Sequence, residues 1–167
     1  MLVIFAGLPG TGKTSLARDL ARDLSGVYLR VDSIEQAIRD SGVAPGSLDD
    51  AGYRVAYAVA GDNLRLGRIV VCESVNPWKL TRDAWRDVGL RAGVCTVEIE
   101  IICSDADEHR RRVETRVNDV PGLAPPNWDA VIKRDYQPWD RDHVVIDTAG
   151  KSIAQSLLEI RTVIQAM

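Results

Sequence analysis

A continuous apolar run followed at once by a glycine-rich segment constrains this sequence more than any other feature. The run Leu2–Ala6 reads Leu-Val-Ile-Phe-Ala, and residues 7–14 read Gly-Leu-Pro-Gly-Thr-Gly-Lys-Thr. Leucines and alanines then recur at helical spacing until Gly26. A short apolar run that ends at glycine and proline indicates a buried parallel strand. The sequence therefore predicts a strand, a glycine-rich loop and a helix in immediate succession.

The glycine-rich segment fits the pattern G-x-x-x-x-G-K-[ST] in full, between a predicted strand and a predicted helix. Its glycines allow backbone N–H groups to point into one concavity, where they and the helix N-terminus can hold phosphate oxygens. We expect Lys13 to contact the β- and γ-phosphates of ATP, and Thr14 to bind Mg²⁺ through its hydroxyl. The predicted nucleotide-binding residues of this loop are Gly7, Pro9, Gly10, Thr11, Gly12, Lys13, Thr14 and Ser15.

Four more strands alternate with helices along the chain. The strands are predicted at 27–31, 68–72, 94–103 and 143–146, and the helices at 33–41, 50–66, 80–92, 104–117, 128–136 and from 152 nearly to 167. Proline and glycine predict loops at 43–51 and 118–127. This order indicates a parallel sheet covered on both faces, with ligands at the carboxyl ends of its strands. The length of 167 residues predicts a single domain.

Composition limits the partners. The formal net charge of -3 and the pI of about 5.4 give no general attraction to nucleic acid or anionic membranes. The longest apolar run is far too short to span a bilayer, and no signal-peptide pattern is present. We therefore expect a cytoplasmic protein without membrane contacts, as a monomer or a dimer.

Asp32 follows the second predicted strand, which we expect to lie beside the strand that leads into the glycine-rich loop. A carboxylate there could orient an acceptor hydroxyl and take its proton as the bond to phosphorus forms. A second interpretation is that Asp32 complements the dipole of the following helix. Ser33 already offers a capping side chain, so we favour the catalytic base.

Arg112 and Arg116 are four residues apart on a predicted helix and should share one of its faces. Two guanidinium groups on one face could stabilise charge on a transferring phosphoryl group. The proline- and glycine-rich residues 118–127 could let a region of about 105–136 close over the site as a lid.

Polar residues at the ends of the third and fifth strands are further candidates. Glu73 could hold a Mg²⁺-bound water or touch the acceptor, or it could be a solvated loop acid. Asp147 and Thr148 could lie near the base of the nucleotide. His109 and His143 have no companion metal ligands and are predicted on a helix surface and at a strand edge.

Several of these features together resemble the AAA_33-type predicted kinases. They are the glycine-rich loop, Arg30-Val31-Asp32, Val75-Asn76-Pro77, Arg82 with Trp85, and the helix of Arg112 and Arg116. This group is related to the kinase domain of phage polynucleotide kinase, and more distantly to gluconate, adenylylsulfate and chloramphenicol kinases and the zeta toxins. The resemblance implies an α/β P-loop NTPase fold of the nucleoside-kinase-like type, a three-layer sandwich with a five-stranded parallel sheet and a helical lid.

The resemblance also assigns roles. Asp32 matches the acceptor-activating aspartate, Lys13 and Thr14 match the phosphate and Mg²⁺ contacts, and Arg116 matches a lid arginine. The expected substrate-binding residues are Asp32, Glu35, Glu73, Asn76 and Arg82. Glu35 stands where polynucleotide kinases have a substrate-binding arginine, and Glu73 replaces the more usual aspartate. The missing arginine and the acidic pI argue against a polynucleotide acceptor.

The predicted function is a kinase that uses ATP and Mg²⁺ to phosphorylate a hydroxyl group of a small molecule. The predicted catalytic residues are Lys13, Asp32, Arg112 and Arg116, and the predicted metal ligands are Thr14 and Glu73. Two alternatives remain open: a polynucleotide 5′-hydroxyl kinase, and an ATP-binding switch or regulatory ATPase without an acceptor. No guanine-specifying N-K-x-D pattern is present.

Overall fold

The computed structural model describes residues 1–42, 48–117 and 119–166. Its elements are β1 (Leu2–Ala6), α1 (Lys13–Asp23), β2 (Val27–Arg30), α2 (Val31–Asp40), α3 (Ala51–Arg65), β3 (Val70–Glu73), α4 (Lys79–Ala92), β4 (Thr96–Ile102), α5 (Ala106–Thr115), α6 (Trp128–Ile132), β5 (Val144–Asp147) and α7 (Ile153–Gln165). Residues 43–47, which make up most of the first predicted loop, and residues 118 and 167 lie outside the described residues. Over the described ranges, no helix is both long and apolar enough to cross a membrane.

The five strands form one parallel sheet in the order β2-β3-β1-β4-β5. Side chains of β1 alternate between its two faces. Val3 and Phe5 pack in a core with residues of α1 and α7, whereas Leu2 and Ile4 pack with residues of α3 and with Trp85 of α4. Two apolar cores on opposite faces of one sheet make three layers, which confirms the predicted α/β sandwich.

The strand order corrects one prediction. β2 was expected beside β1, but β3 lies between them. The register pairs Phe5 of β1 with Glu73, the last residue of β3, and pairs Arg30 of β2 with the same glutamate. Glu73, rather than Asp32, therefore ends the strand adjacent to the glycine-rich loop.

The start of α2 also differs from the prediction. The helix begins at Val31, its N-cap is Arg30, and no side chain caps it. Ser33 is thus inside the helix instead of capping it, and Asp32 lies in the first helical turn instead of at a corner before it. A carboxylate in a first turn interacts favourably with the helix dipole, so the favoured and the second interpretation of Asp32 are compatible.

The fifth helix is shorter than its periodicity predicts. Its N-cap is Asp105, whose side chain accepts a hydrogen bond from the Glu108 N–H, and the Ser104 hydroxyl before it donates to Asp147. The helix ends at Thr115, and Arg116 has an extended backbone with ψ of 138°. Arg112 and Arg116 therefore do not share a helical face, and the prediction that they do was wrong.

Candidate functional site

The glycine-rich loop joins β1 to α1 through residues with positive φ. Gly7 has φ of 131° and Gly10 has φ of 86°. A Cβ atom on Gly7 would lie 2.2 Å from the Ile101 carbonyl oxygen, and one on Gly10 would lie 2.5 Å from Cγ2 of Val113. Only glycine permits both the backbone angle and the close approach to β4 and α5.

The first turn of α1 has no side-chain cap. Its N-cap residue, Gly12, has a left-handed backbone with φ of 98°. Thr11 Oγ1 and Lys13 Nζ both donate to the Leu8 carbonyl oxygen, at 2.9 and 2.8 Å. The loop thus folds around its own backbone and presents a helix N-terminus, the arrangement in which backbone N–H groups bind phosphate.

Lys13 is buried in a highly charged environment. Burial lowers the pKa of its ammonium to about 8; the carboxylates of Glu73 and Asp32 oppose this shift, and the positive charges of Arg116 and Arg134 add to it. Anionic phosphate groups next to Lys13 would favour its charged form. Binding of phosphate should therefore raise the pKa of Lys13.

Thr14 and Glu73, the two predicted metal ligands, are in direct contact. The Thr14 hydroxyl donates to Glu73 Oε1 at 3.0 Å, and the Tyr28 hydroxyl donates to the same oxygen at 3.2 Å. Arg30 Nε lies 3.1 Å from it, and the Glu73 side chain is 4% exposed. Hydroxyl and carboxylate oxygens suit Mg²⁺, which keeps several waters and also binds substrate phosphates. The residues present fit that metal.

A cavity of about 700 Å³ opens at the carboxyl ends of the strands. The predicted site residues that line it are Pro9, Gly10, Gly12, Lys13, Thr14, Ser15, Asp32, Glu35, Glu73, Arg112 and Arg116. Those that do not line it are Gly7, Thr11, Asn76, Arg82, Asp147 and Thr148. The structure thus brings Asp32 and the phosphate loop to one cavity, although Thr14 and Asp32 are 18 positions apart in the sequence, with most of α1 and all of β2 between them.

Two carboxylates of α2 form one wall of the cavity. Asp32 and Glu35 are three residues apart, on one face of the helix. Glu35 packs against Gly52 of α3, where a Cβ would lie 2.3 Å from Cγ of Glu35. Burial raises the pKa of Glu35, the charge of Asp32 raises it further, and Arg39, 3.4 Å away, opposes both. We call Asp32 and Glu35 the acidic wall.

The two predicted lid arginines have different surroundings. Arg112 donates to the hydroxyl and carbonyl oxygens of Thr148 at 2.8 and 2.9 Å and pairs with Glu108 at 2.6 Å. The Thr148 hydroxyl also contacts the Thr11 carbonyl oxygen, so Arg112 connects α5 to the phosphate loop. Partial burial lowers the pKa of Arg116, and the charge of Asp32 opposes that shift.

Arg82 and Asn76 were predicted to bind substrate, but both are fully buried and neither lines the cavity. The Arg82 guanidinium donates to four carbonyl oxygens, those of Asn76, Pro77, Gln137 and Pro138. It also lies over the rings of Tyr136 and Trp139, at 4.9 and 4.3 Å from their centroids. Arg82 therefore joins the segment after α6 to the start of α4.

His109 is buried, and its prediction as a helix-surface residue was wrong. Its Nε2 atom lies 2.8 Å from the Pro9 carbonyl oxygen, and its ring meets Trp128 edge to face with centroids 5.2 Å apart. Val113, one helical turn later, packs close to Gly10. This i, i+4 pair is the sequence signal that α5 has a buried face against the phosphate loop.

Sequence reasoning missed several charged residues of the cavity. Asp119 pairs through one carboxylate oxygen with Arg18 at 2.7 Å and through the other with Arg30 at 2.8 Å. Arg134, just after α6, also lines the cavity. The Asp119 pairs span 101 and 89 residues of sequence, and no local motif signals a contact at that separation.

Comparison with known proteins gives both sequence and structural relatives. Residues 2–127 match the family model AAA_33, described as an AAA domain. An Aeropyrum pernix protein named "Probable adenylyl-sulfate kinase" is 25% identical over 100% of this chain and 93% of its own length. An uncharacterized Mycobacterium tuberculosis protein is 29% identical over 93% of this chain, a match that spans 34% of that longer protein.

Solved kinase structures share the fold. The Mycobacterium tuberculosis APS kinase CysC, in complex with AMPPNP and APS, superposes with a TM-score of 0.73 at 22% identity, over 98% of this chain and 96% of that one. A Sinorhizobium meliloti gluconokinase superposes with a TM-score of 0.62 at 14% identity, over 99% and 97% of the two chains. The fold is therefore that of kinase-like P-loop NTPases.

Proposed function

The chain belongs to the AAA_33 family, and on that premise we propose that it is an ATP-dependent kinase that phosphorylates a hydroxyl group of a small molecule. The main support is that Asp32 lines the same cavity as Lys13 and the Thr14–Glu73 pair. A carboxylate opposite a phosphate loop is the arrangement that hydroxyl activation requires. The names of the adenylyl-sulfate kinase and gluconokinase relatives agree with this chemistry.

In the proposed reaction the acceptor oxygen attacks the γ-phosphorus of ATP while its proton passes to the Asp32 carboxylate. The bond between the γ-phosphorus and the bridging oxygen breaks, and ADP leaves with that oxygen. Lys13 and the backbone of the phosphate loop hold the phosphates, and Arg116 stabilises charge on the transferring group. Thr14 and Glu73 would hold Mg²⁺, which neutralises charge on the phosphates when bound.

We also propose that residues 1–167 act as one kinase domain in the cytoplasm, with a lid of about 105–136. Leu123, Ala124 and Pro126 of this region line the cavity beside Arg116 and Arg134. Such a cover would exclude water from the reacting phosphoryl group. Glu35 of the acidic wall stands where polynucleotide kinases have a substrate-binding arginine, and the formal net charge of the chain is -3. For these two reasons we favour a small molecule over a polynucleotide as the acceptor.

The test is an acceptor screen. The protein is incubated with Mg²⁺ and ATP and with sugars, gluconate, nucleosides, aminoglycosides, chloramphenicol, adenylyl sulfate and 5′-hydroxyl oligonucleotides. Products about 80 Da heavier, the mass of one added phosphoryl group, are sought by mass spectrometry. Asp32→Asn should lower transfer by about 100-fold or more and leave ATP affinity unchanged, because general bases contribute this much.

The matched control is Asp87→Asn, which removes an exposed carboxylate of α4 that pairs with Arg91 one turn along the same helix. It should transfer phosphate at the wild-type rate. If no acceptor is phosphorylated and ATP hydrolysis is unaffected by Asp32→Asn, the kinase proposal fails and a regulatory ATPase takes its place.

A further inference from the structure

The arginines that line the cavity fall into two groups. They are Arg18, Arg30, Arg39, Arg112, Arg116 and Arg134. The first four are paired with carboxylates: Asp119 holds Arg18 and Arg30, Glu35 holds Arg39, and Glu108 holds Arg112. Among the described residues, Arg116 and Arg134 form no ion pair. Two guanidinium groups in one cavity without carboxylate partners create a site for an anion.

Arg134 is on a well-anchored part of the chain. The next residue, Asp135, accepts a hydrogen bond from Trp78 Nε1 at 2.9 Å, and the Gln137 N–H donates to the Pro77 carbonyl oxygen at 2.8 Å. The four carbonyl contacts of Arg82 hold the same segment. Pro77 and Trp78 follow β3 in the chain, and Glu73 is the last residue of β3. The backbone near Arg134 is therefore attached to the segment that leaves the carboxyl end of this strand.

The charge of Arg134 lies close to the acidic wall. The pKa of Glu35 is raised by burial and by Asp32, and both Arg39 and Arg134 oppose that rise. Arg134 also lines the same cavity as the phosphate loop, and its positive charge lowers the pKa of Lys13 in that loop. It therefore lies near both the acidic wall and the phosphate loop, and so near the space in which ATP and the acceptor would meet. That space is where negative charge develops on the transferring group.

We infer that Arg134 contacts the γ-phosphoryl group during its transfer, as a second guanidinium beside Arg116. The inference deepens the proposed function and rests on it. The planar guanidinium offers two parallel donors to phosphoryl oxygens, whereas lysine offers a single point charge. Arg134 is anchored through the segment that follows it, while Arg116 continues the end of α5, so the two residues approach the group from different elements.

The experiment compares Arg134→Ala and Arg134→Lys with Lys133→Ala. Lys133 is the matched control, because it is the adjacent exposed cation and does not line the cavity. Binding of Mg²⁺–ADP and of Mg²⁺–ADP–aluminium fluoride, a mimic of the transferring phosphoryl group, is measured by calorimetry. Arg134→Ala should bind ADP like wild type but bind the fluoride complex about 100-fold more weakly, as when one transition-state donor is removed.

Arg134→Lys should fall between the alanine variant and wild type, and Lys133→Ala should match wild type. If Arg134→Ala binds the fluoride complex as tightly as Lys133→Ala does, the inference is overturned. The acceptor screen separates the two proposals. Failure of wild type to phosphorylate any acceptor contradicts the proposed function, whereas undiminished transfer by Arg134→Ala contradicts only the role of Arg134.

Discussion

The phosphate loop and the segment of residues 119–123, which also lines the cavity, are held in place by different forces. Gly7 lies against the backbone of β4 and Lys13 is buried, so the loop is part of the packed interior. Asp119, by contrast, is held by ion pairs with Arg18 and Arg30. The Asp119 carboxylate is 45% exposed, and the side chains of Arg18 and Arg30 are 41% and 12% exposed. Overpacking of a protein interior typically costs about 1–3 kcal/mol, whereas an exposed ion pair contributes about 0–1 kcal/mol.

The different contacts suit the two regions to two different tasks, which are phosphate binding and the passage of substrate and product. A rigid loop keeps its N–H groups preorganised for phosphate, so binding requires little reorganisation. A segment held by exposed charges can open with a small free-energy change, as substrate entry and product release require. We therefore expect the two regions to respond to substitution and to pH as differently as their contacts indicate.

The largest effect is expected when a methyl group is added at Gly7. Gly7→Ala should lower the free energy of unfolding by about 3 kcal/mol or more, because the new Cβ meets the Ile101 carbonyl oxygen and φ is positive. Gly93→Ala is the control, since Gly93 also has positive φ but nothing within 4 Å of an added Cβ. It should cost only about 1 kcal/mol in urea denaturation. Equal losses would show that the loop is not held by close packing.

The next effect concerns the metal. Glu73→Gln keeps the shape of the side chain but removes its charge, so the Mg²⁺ concentration needed for ATP binding should rise about tenfold or more. Titration of ATP affinity against Mg²⁺ measures this change. Glu114→Gln, which removes an exposed carboxylate of α5 outside the cavity, should leave the Mg²⁺ requirement unchanged. An unchanged requirement in Glu73→Gln would rule out Glu73 as part of the metal site.

A smaller effect is expected from the protonation of Lys13. Its pKa of about 8 means that the free protein loses this charge as the pH rises through 8. Bound phosphates favour the ammonium, so ATP binding near pH 8.5 should take up protons and should weaken at higher pH. Calorimetry in two buffers of different ionisation enthalpy measures the uptake. Lys13→Arg keeps a permanent charge and should show little uptake; similar uptake in both proteins would contradict the assignment to Lys13.

The smallest effect on stability is expected at Asp119. Asp119→Asn should lower the free energy of unfolding by less than about 1 kcal/mol, because its pair with Arg18 is exposed and the more buried Arg30 keeps its pair with Glu73. It should nevertheless speed amide exchange in the neighbouring residues 119–123, measured by mass spectrometry. Asp142→Asn, an exposed carboxylate away from this cavity, should change neither quantity. Unchanged exchange in Asp119→Asn would show that other contacts hold the segment.

Protonation of Asp119 in acid should weaken its ion pairs, as the Asp119→Asn substitution does. Burial tends to raise the pKa of Asp119, but hydrogen bonds from Arg30 and Arg18 outweigh it and lower the pKa below its ordinary value. A carboxylate with a lowered folded-state pKa stabilises the fold above its unfolded-state pKa and loses that contribution as the pH falls through the folded-state value. The ion pairs of Asp119 should therefore persist at neutral pH and weaken only in strong acid.

Local sequence was sufficient for the elements and for the phosphate loop. The predicted strands and helices are all present, and the five-stranded parallel sheet and the family resemblance are confirmed. Hydrophobic periodicity and the positions of glycines determine local structure over a few residues, so both signals are contained in the local sequence. The roles assigned to Lys13, Thr14 and Asp32 remain predictions.

The tertiary structure alone determines which partners the charged residues have. The place of β3 between β2 and β1 brings Glu73 to Thr14, and the course of the chain after α5 brings Asp119 to Arg18. Arg82 was predicted to bind substrate and Arg134 was not, yet Arg82 is fully buried among carbonyl oxygens and Arg134 lines the cavity. Strand order and long-range ion pairs depend on how distant elements pack, because the short-range preferences of a charged residue are the same in either place.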